Sequence, residues 1–476
     1  MAISQPISAA RSAILYQNAA CDITLIDIPT SIAAAQGRSG TLLSITPLEA
    51  PIPLHEEPKS DKAKAKQSQH LPSADLNAEY KDIIGKALAQ IRQNVSSPWC
   101  MPRKLLTQVP KAGDKDMQID DPERELENRL REWSARDETK GDDAGFDFQQ
   151  MMAALGATTD AGAIMTQSIT QKWRLSYRSA REVRGDAQRA ISVSHVSNME
   201  PDAQHEPWES SFHNPEKHAL GLAVFETPTG TGQQTPGYRF TMPPQSTFFL
   251  SDLNHPKTFR ASFREVTDEY RLPRHFDLVL LDPPWPNRSA KRKGAYEQVG
   301  GMPYVRKMLV GLDIDNYLEH NALVGIWITN KDAMRHHVLG PGGLFEKWNV
   351  GLIEEWIWVK TTIHGEPMFD MDSTLRKPYE ILLLGRAAPN SWTTMAAAPT
   401  IKKRVIVAVP DVHSRKPCLK ELLEPYMPDV DDYSALEVFS RYLVSGWTSW
   451  GNEVLKYNAS QYWASSSESV ASEPSE

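Results

Sequence analysis

The 476-residue sequence predicts an α/β fold with a doubly wound sheet and an N-terminal α+β extension, on three observations. From about Tyr238 onward, apolar runs of strand length alternate with segments of helical periodicity, the pattern of a mainly parallel sheet covered by helices. One of these runs, Asp277-Leu278-Val279-Leu280-Leu281, passes directly into Asp282-Pro283-Pro284-Trp285, and such sheets present their working side chains at the carboxyl ends of strands. Before Tyr238 the texture differs: short strand-like runs, a polar stretch and two amphipathic helices.

In chain order, Ser12 to Gln17, Asp22 to Ile28 and Thr41 to Thr46 read as strands of a small β unit over residues 1–50. Residues 51–76 are rich in Pro, Lys, Ser, Glu and Gln without apolar periodicity and read as a solvated linker. A helix follows from Asn77 to Gln93, with Tyr80, Ile84, Leu88 and Ile91 on one face. The second helix starts at Asp121-Pro122, an N-cap acid before a proline at the first helical position, and aligns Leu126, Leu130 and Trp133. Residues 136–235 hold no sustained period, so 77–235 reads as helical or irregular, with part of it disordered. The domain over 236–465 then offers strands at Phe248 to Leu250, Leu278 to Leu281, Leu323 to Ile328, Gly351 to Val359, Ile381 to Leu384, Val405 to Val409 and Leu436 to Phe439. Its helices are expected at Met302 to Leu309, Asp332 to Val338 and Leu419 to Tyr426, with a surface insertion at Ala387 to Thr400. Residues 466–476 form a disordered acidic tail.

The formal charge of −8 hides an uneven distribution. Residues 236–465 hold 27 Lys+Arg against 26 Asp+Glu, so the acid excess lies elsewhere and a nucleic-acid partner is not excluded. Cys21, Cys100 and Cys418 form no CxxC pair, which argues for a reducing compartment without a disulfide frame or a metal cluster. No secretory or membrane-spanning segment stands out, so no membrane partner is expected, and the nucleus fits, with the cytosol as a second location.

Asp282 and the carbonyl of Pro283 set two hydrogen-bond acceptors side by side. The tandem prolines fix φ and bring no N–H of their own. Together the acceptors can take both protons of an exocyclic amine and turn its lone pair out of the ring plane, while Trp285 flanks or stacks on the ring. The structural alternative is a proline-rich turn with Trp285 in the core.

Further strings accompany this tetrapeptide: Glu355-Trp356-Ile357-Trp358-Val359-Lys360, Lys377-Pro378-Tyr379-Glu380, His413-Ser414-Arg415-Lys416-Pro417, Leu436 to Arg441, and Gly446 to Val454. Through them, over about Tyr238 to Trp463, the chain resembles the eukaryotic adenine-N6 methyltransferase family that includes the catalytic subunit of the messenger-RNA adenosine methyltransferase. Within that family it is similar to the branch of methyltransferase-like protein 4. The resemblance implies a Rossmann-like S-adenosylmethionine-dependent methyltransferase with a permuted motif order, in which no G-x-G-x-x-G is expected.

It also implies roles. Asp282, Pro283, Pro284 and Trp285 would form the catalytic loop. Asp252 and Leu253 would touch the cofactor after their strand, Lys377 would sit near its carboxylate, and Arg441, Asn452 and Glu453 would reach it at the far end, where Asn and Glu suit ribose hydroxyls. Substrate contacts are expected from Glu355, which would face the adenine, from Lys360, and from the basic loop Asn287, Arg288, Lys291, Arg292 and Lys293, with Lys402-Lys403-Arg404 and Arg415-Lys416 extending the track. Plain structural roles stand beside these: Asp252 as a helix cap, Lys377 as a surface lysine, Glu354-Glu355 as a strand-edge pair, and His413 as a loop brace. The implied substrate is adenosine in RNA, an internal 2′-O-methyladenosine of the spliceosomal U2 small nuclear RNA, with DNA adenine as the alternative and no obligate heterodimer partner. A catalytically inactive RNA-binding scaffold is the competing class.

Overall fold

Leucine-rich and β-branched runs bounded by Gly, Pro and Asp set the strands, and the computed structural model describes residues 12–53, 74–106, 122–135, 173–181, 206–207, 209–228, 237–286, 301–373, 376–388, 401–413 and 415–464. The first elements are β1 (Ile14–Gln17), β2 (Ile23–Ile26), α1 (Ile28–Ala35), α2 (Ala74–Asn94), α3 (Pro122–Ala135), β3 (Trp173–Arg181), β4 (Glu206–Pro207), β5 (Ser211–His213), β6 (Leu220–Pro228), β7 (Tyr238–Met242) and β8 (Thr247–Phe249). They are followed by α4 (Pro256–Tyr270), β9 (Phe276–Leu281), α5 (Gly301–Gly311), β10 (Leu318–Ile328), α6 (Asp332–Leu339), α7 (Leu344–Lys347) and β11 (Val350–Lys360). The last are β12 (Tyr379–Ala387), β13 (Lys402–Ala408), α8 (Lys420–Leu423), β14 (Ala435–Val438) and β15 (Thr448–Trp450).

An 11-stranded sheet runs in the order β1-β2-β13-β11-β12-β10-β9-β14-β15-β8-β5. Strands β10, β9, β14, β15 and β8 are mutually parallel, as are β11, β13 and β2, while β12 runs antiparallel between β10 and β11. This is a Rossmann-like arrangement, and the late strands β14 and β15 are inserted between the early strands β8 and β9. Residues nearly two hundred positions apart thus become neighbours at one sheet edge. A second, four-stranded antiparallel sheet has the order β4-β3-β6-β7.

Alternation divides the core into two layers. Val279 and Leu281 of β9 pack with Tyr80, Ile84, Leu88 and Ile91 of α2 and with Phe259 and Phe263 of α4. Leu278 and Leu280 face the other way, toward α1, α3, α8 and the small sheet. Leu280 lies opposite Gly325 of β10 and Glu437 of β14. A Cβ at Gly325 would stand 2.6 Å from the Leu280 side chain, so glycine lets β9 and β10 close.

The extension departs from its expected form. The segment read as a separate β unit supplies β1 and β2 to the edge of the large sheet, because β2 pairs parallel with β13. Asp27, expected inside a strand, caps α1 by accepting from the Thr30 N–H at 3.1 Å. Thr41 to Thr46 contributes only the bridges Leu42 to Trp463 and Ser44 to Leu105. The boundary expected at 236 is crossed as well, since β5 pairs with β8. Most of the proposed linker lies outside the described residues, as do the tail and most of 136–205. No helix among the described residues is long and apolar enough to cross a membrane.

Candidate active site

Strand β9 ends at Leu281, buried on both faces, and its next residue turns upward at the carboxyl edge. The Asp282 N–H still donates to the Val438 carbonyl of β14 at 3.3 Å, which continues the ladder and fixes where the side chain leaves it. Asp282 shares the face of Leu280, and its carboxylate oxygens accept from Lys416 Nζ at 2.8 and 2.7 Å. Lys416 also lies 3.4 Å from Glu380, which accepts from Lys360 Nζ at 2.5 Å. A charged row therefore crosses the edge: Lys360, Glu380, Lys416 and Asp282. Tryptophans line it, with Lys416 5.3 Å from the Trp327 ring and Lys360 4.6 Å from that of Trp358.

The row sets its own charge states. Burial alone would raise the Glu380 carboxyl, yet Lys360 and Lys416 outweigh it and hold the group down at about 2. Burial would lower Lys416, but Asp282 and Glu380 push it up, against a small opposing effect of Arg441. A narrow cleft of about 40 Å³ opens beside the row, bordered by Asp282, Trp327, Lys416, Glu437, Arg441 and Tyr442 among others. Glu437 is half-buried; burial pushes its carboxyl up to about 8 against the hydrogen bond from Ser440, with the Asp282 charge adding to the effect and Lys416 opposing it.

The catalytic-loop residues take different parts. The Pro283 carbonyl already accepts from the Trp285 N–H at 2.8 Å, leaving its second lone pair. Trp285 does not flank the cleft: it is 8% exposed, belongs to the helical layer opposite the Asp282 face, and donates from its indole to the Trp327 carbonyl at 2.6 Å. It thereby clamps the loop to β10. Lys331 Nζ adds a bond to the Pro286 carbonyl at 3.1 Å.

At the end of β8, Asp252 accepts from the N–H and side-chain amide of Asn254 at 3.0 and 2.9 Å, while His255, not Asp252, is the N-cap of α4. Leu253 is buried in the core. Asn452 stands half-buried after β15 and has no side-chain hydrogen bond to another described residue. Glu453 is 3% exposed and already bound: Arg131 of α3 donates to it at 3.1 and 2.5 Å, and Arg441 stands 3.4 Å away. Burial would raise its carboxyl, but Arg441, Arg131 and Lys456 together lower it. The ribose role expected of Glu453 would need Arg131 to give way.

Other expectations shift for reasons of strand parity. Glu355 points into the layer opposite Asp282, 2% exposed, where Arg335 and the Tyr80 hydroxyl bind it. It cannot face a base in the Asp282 cleft. Lys377 donates to the Met371 carbonyl at 2.7 Å, and burial lowers its pKa against the pull of Asp372 and Asp370. The residue of that string in the charged row is Glu380. Arg415 and Lys416 both border the cleft, but Arg415 is buried in an ion pair with Asp411 at 2.8 Å, and of the two it is the lysine that bonds Asp282. Lys402 and Arg404 are paired with Glu354 and Lys403 with Glu79. Asn287, Arg288, Lys291, Arg292 and Lys293 lie outside the described residues.

Reading the sequence alone missed the partner of Asp282. Lys416 looked like one cation among many; the signal available was its place before a proline in a string shared with the family. Glu380 and Glu437 were quoted inside strings but given no role, although period-two alternation from buried Tyr379 and Leu436 turns both toward the Asp282 face.

A family profile described as MT-A70 matches residues 276–453. The chain is 43% identical over 192 residues to the N6-methyladenosine RNA methyltransferase MTA1 of Cryphonectria parasitica, covering 40% of this chain and 55% of that protein. It is 36% identical over 233 residues to the N(6)-adenine-specific methyltransferase METTL4 of Homo sapiens, covering 48% and 45%. It is 30% identical over 226 residues to a DNA N6-methyl methyltransferase of Caenorhabditis elegans, covering 47% and 55%. The chain spans about half the length of the curated relatives it matches.

MT-A70 methyltransferases use S-adenosyl-L-methionine as methyl donor, and the donor set here suits it. Asp252 and Asp282 offer carboxylates after β8 and β9 for its positive and hydroxyl groups, and Asn452 offers an amide after β15 that is unengaged among the described residues. The match, the sheet order and the Asp282 loop thus agree: residues 276–453 of this chain are similar to an MT-A70 domain.

Proposed function

We propose that this protein is an S-adenosylmethionine-dependent methyltransferase acting on the exocyclic N6 amine of adenine in nucleic acid. The observation that carries the reading is Asp282, an aligned carboxylate at the carboxyl end of β9 within the MT-A70 match, bordering the cleft between β9, β14 and the segment before α8.

When bound, S-adenosylmethionine supplies a methyl group made electrophilic by its positively charged sulfur. The chain's residues do the rest. Each Asp282 oxygen keeps a lone pair beyond its bond to Lys416, so the carboxylate can accept from the target amine without releasing its lysine. The free lone pair of the Pro283 carbonyl suits the second amine proton. Held by both, the nitrogen localises its lone pair and presents it in one direction. Lys416, braced by Glu380, keeps the carboxylate from rotating, and the Trp285 clamp keeps the loop on β10. The methylated amine is acidic enough to lose its proton to water. Asp252, Asn452 and Arg441 would hold the donor.

RNA is the favoured substrate, supported by the names of the fungal relatives and by the branch resemblance. The finer proposal is an internal 2′-O-methyladenosine of U2 small nuclear RNA, which places the protein in the nucleus; activity without an obligate heterodimer partner belongs to the same proposal. A base stacked in a duplex is out of reach, so single-stranded or extruded adenines are expected. The test is methyl transfer from labelled donor by the purified full chain to matched RNA and DNA oligonucleotides, with and without a 2′-O-methyladenosine. Faster labelling of DNA would overturn the RNA assignment, and no labelling of either would overturn the activity.

A further inference from the structure

We propose that Glu437 is a specificity-determining residue of the acceptor site, its carboxyl group donating a hydrogen bond to the ring nitrogen beside the amine that Asp282 holds. The inference rests on the adenine reading above and adds a second point of recognition to it.

Register places the group. Glu437 stands opposite Leu280, and Asp282 is the next residue of β9 on the same face, so the two residues are diagonal neighbours, roughly 7 Å apart along the backbone by strand geometry. Both border the one cleft. Adenine presents an amine donor next to a ring-nitrogen acceptor, and an acceptor beside a donor is its complement; a carbonyl in the amine's place, as in guanine or uracil, does not match.

The surroundings supply the donor. Facing Glu437 are Asp282 at the end of β9, Lys416 and Cys418 from the segment before α8, Ser449 from β15, and Ser440, Arg441 and Tyr442 from its own loop. The nearest cation, Lys416, is bonded to Asp282 and Glu380, and Arg441 lies against Glu453. The Ser440 hydroxyl donates to the Tyr442 carbonyl at 2.5 Å and more weakly to Glu437 at 3.3 Å, which favours the charged carboxylate but is outweighed by burial. A carboxyl that must donate is a protonated one. The upward shift to about 8 agrees with this, and a neutral carboxylic acid serving as donor has precedent in apolar enzyme sites.

The test uses the full chain, labelled S-adenosylmethionine and single-stranded oligonucleotides carrying adenine, 1-deazaadenine or 7-deazaadenine at the target. The parent is expected to methylate one of the two analogues about tenfold more slowly than adenine, the cost of one lost hydrogen bond. Glu437→Ala should slow adenine methylation by about the same factor and no longer distinguish that analogue. Parent kcat/KM should fall as pH rises through about 8, and Glu437→Gln, which donates without titrating, should keep the discrimination and lose that fall. A parent that methylates both analogues as fast as adenine overturns this inference alone, as does an Ala variant that keeps the parent's preference. A parent that methylates no adenine overturns both readings.

Discussion

Lys416 places its ammonium 2.8 and 2.7 Å from the two carboxylate oxygens of Asp282, across 134 positions of sequence. The pair closes the gap between the loop after β9 and the segment before α8. It also aims the one carboxylate on which the proposed chemistry depends. Glu380 stands behind the lysine, so Lys416 has two carboxylate partners and cannot swing away at small cost.

Changing Asp282 to Asn keeps its volume and replaces one acceptor with a donor. Methyl transfer is expected to drop by at least about 100-fold in single-turnover assays with labelled donor. Lys416→Met should cost about 10- to 100-fold through misalignment of Asp282, with a larger effect on kcat than on KM for the nucleic acid. Equal turnover in the Asn variant would refute the assigned role.

Glu380 makes acid stability measurable. Its folded-state pKa is depressed to about 2 from an ordinary 4.5, so the unfolded chain takes up the proton first as pH falls. The contribution is fully present above about pH 4.5 and is lost as pH drops through about 2; a shift of this size corresponds to about 3 kcal/mol. Urea unfolding at a series of pH values should show the parent losing that increment and Glu380→Gln lacking it.

Arg131 reaches from α3 to Glu453, which is nearly inaccessible to solvent. Arg131→Met takes two charge-assisted hydrogen bonds from a buried carboxylate that keeps Arg441 3.4 Å away, and should destabilise the fold by about 2 kcal/mol. Adding Glu453→Gln should recover part of the loss, since a neutral amide costs less to bury. A double-mutant cycle by chemical denaturation measures both steps.

Removal of everything before Tyr238 strips β1, β2 and β5 from the sheet and α2 from its face. Tyr80, Ile84, Leu88 and Ile91 are all under 4% exposed, and their burial partners would lose roughly 2 kcal/mol for each. The fragment is expected to be insoluble or to lack fixed tertiary structure, as near-ultraviolet circular dichroism would report. A soluble fragment with full turnover would show that the N-terminal half is dispensable.

Much of the α/β domain was legible. Strands β8 to β14 follow from apolar runs whose periodicity is local, and the stripes of α2 and α3 are buried as their spacing predicts. Less visible were α4, whose polar face dilutes its four buried positions, and β15, whose three residues are too short to show alternation. The N-terminal strands were found as strands, but nothing local says that they pair with β13.

What the sequence determined by itself was the character of the domain: the sheet, the Asp282 loop at a strand end, and the family strings around it. These depend on neighbours within a few residues, and local pattern records them. Tertiary structure decided the partnerships. Lys416 meets Asp282, Glu437 lies diagonal to it, Arg131 occupies Glu453, and Glu355 turns to the other face, because strand order and register bring distant segments together and alternation assigns each side chain to one face. A one-residue change of register would exchange those faces, so the chemistry at Asp282 is a property of the assembled sheet edge.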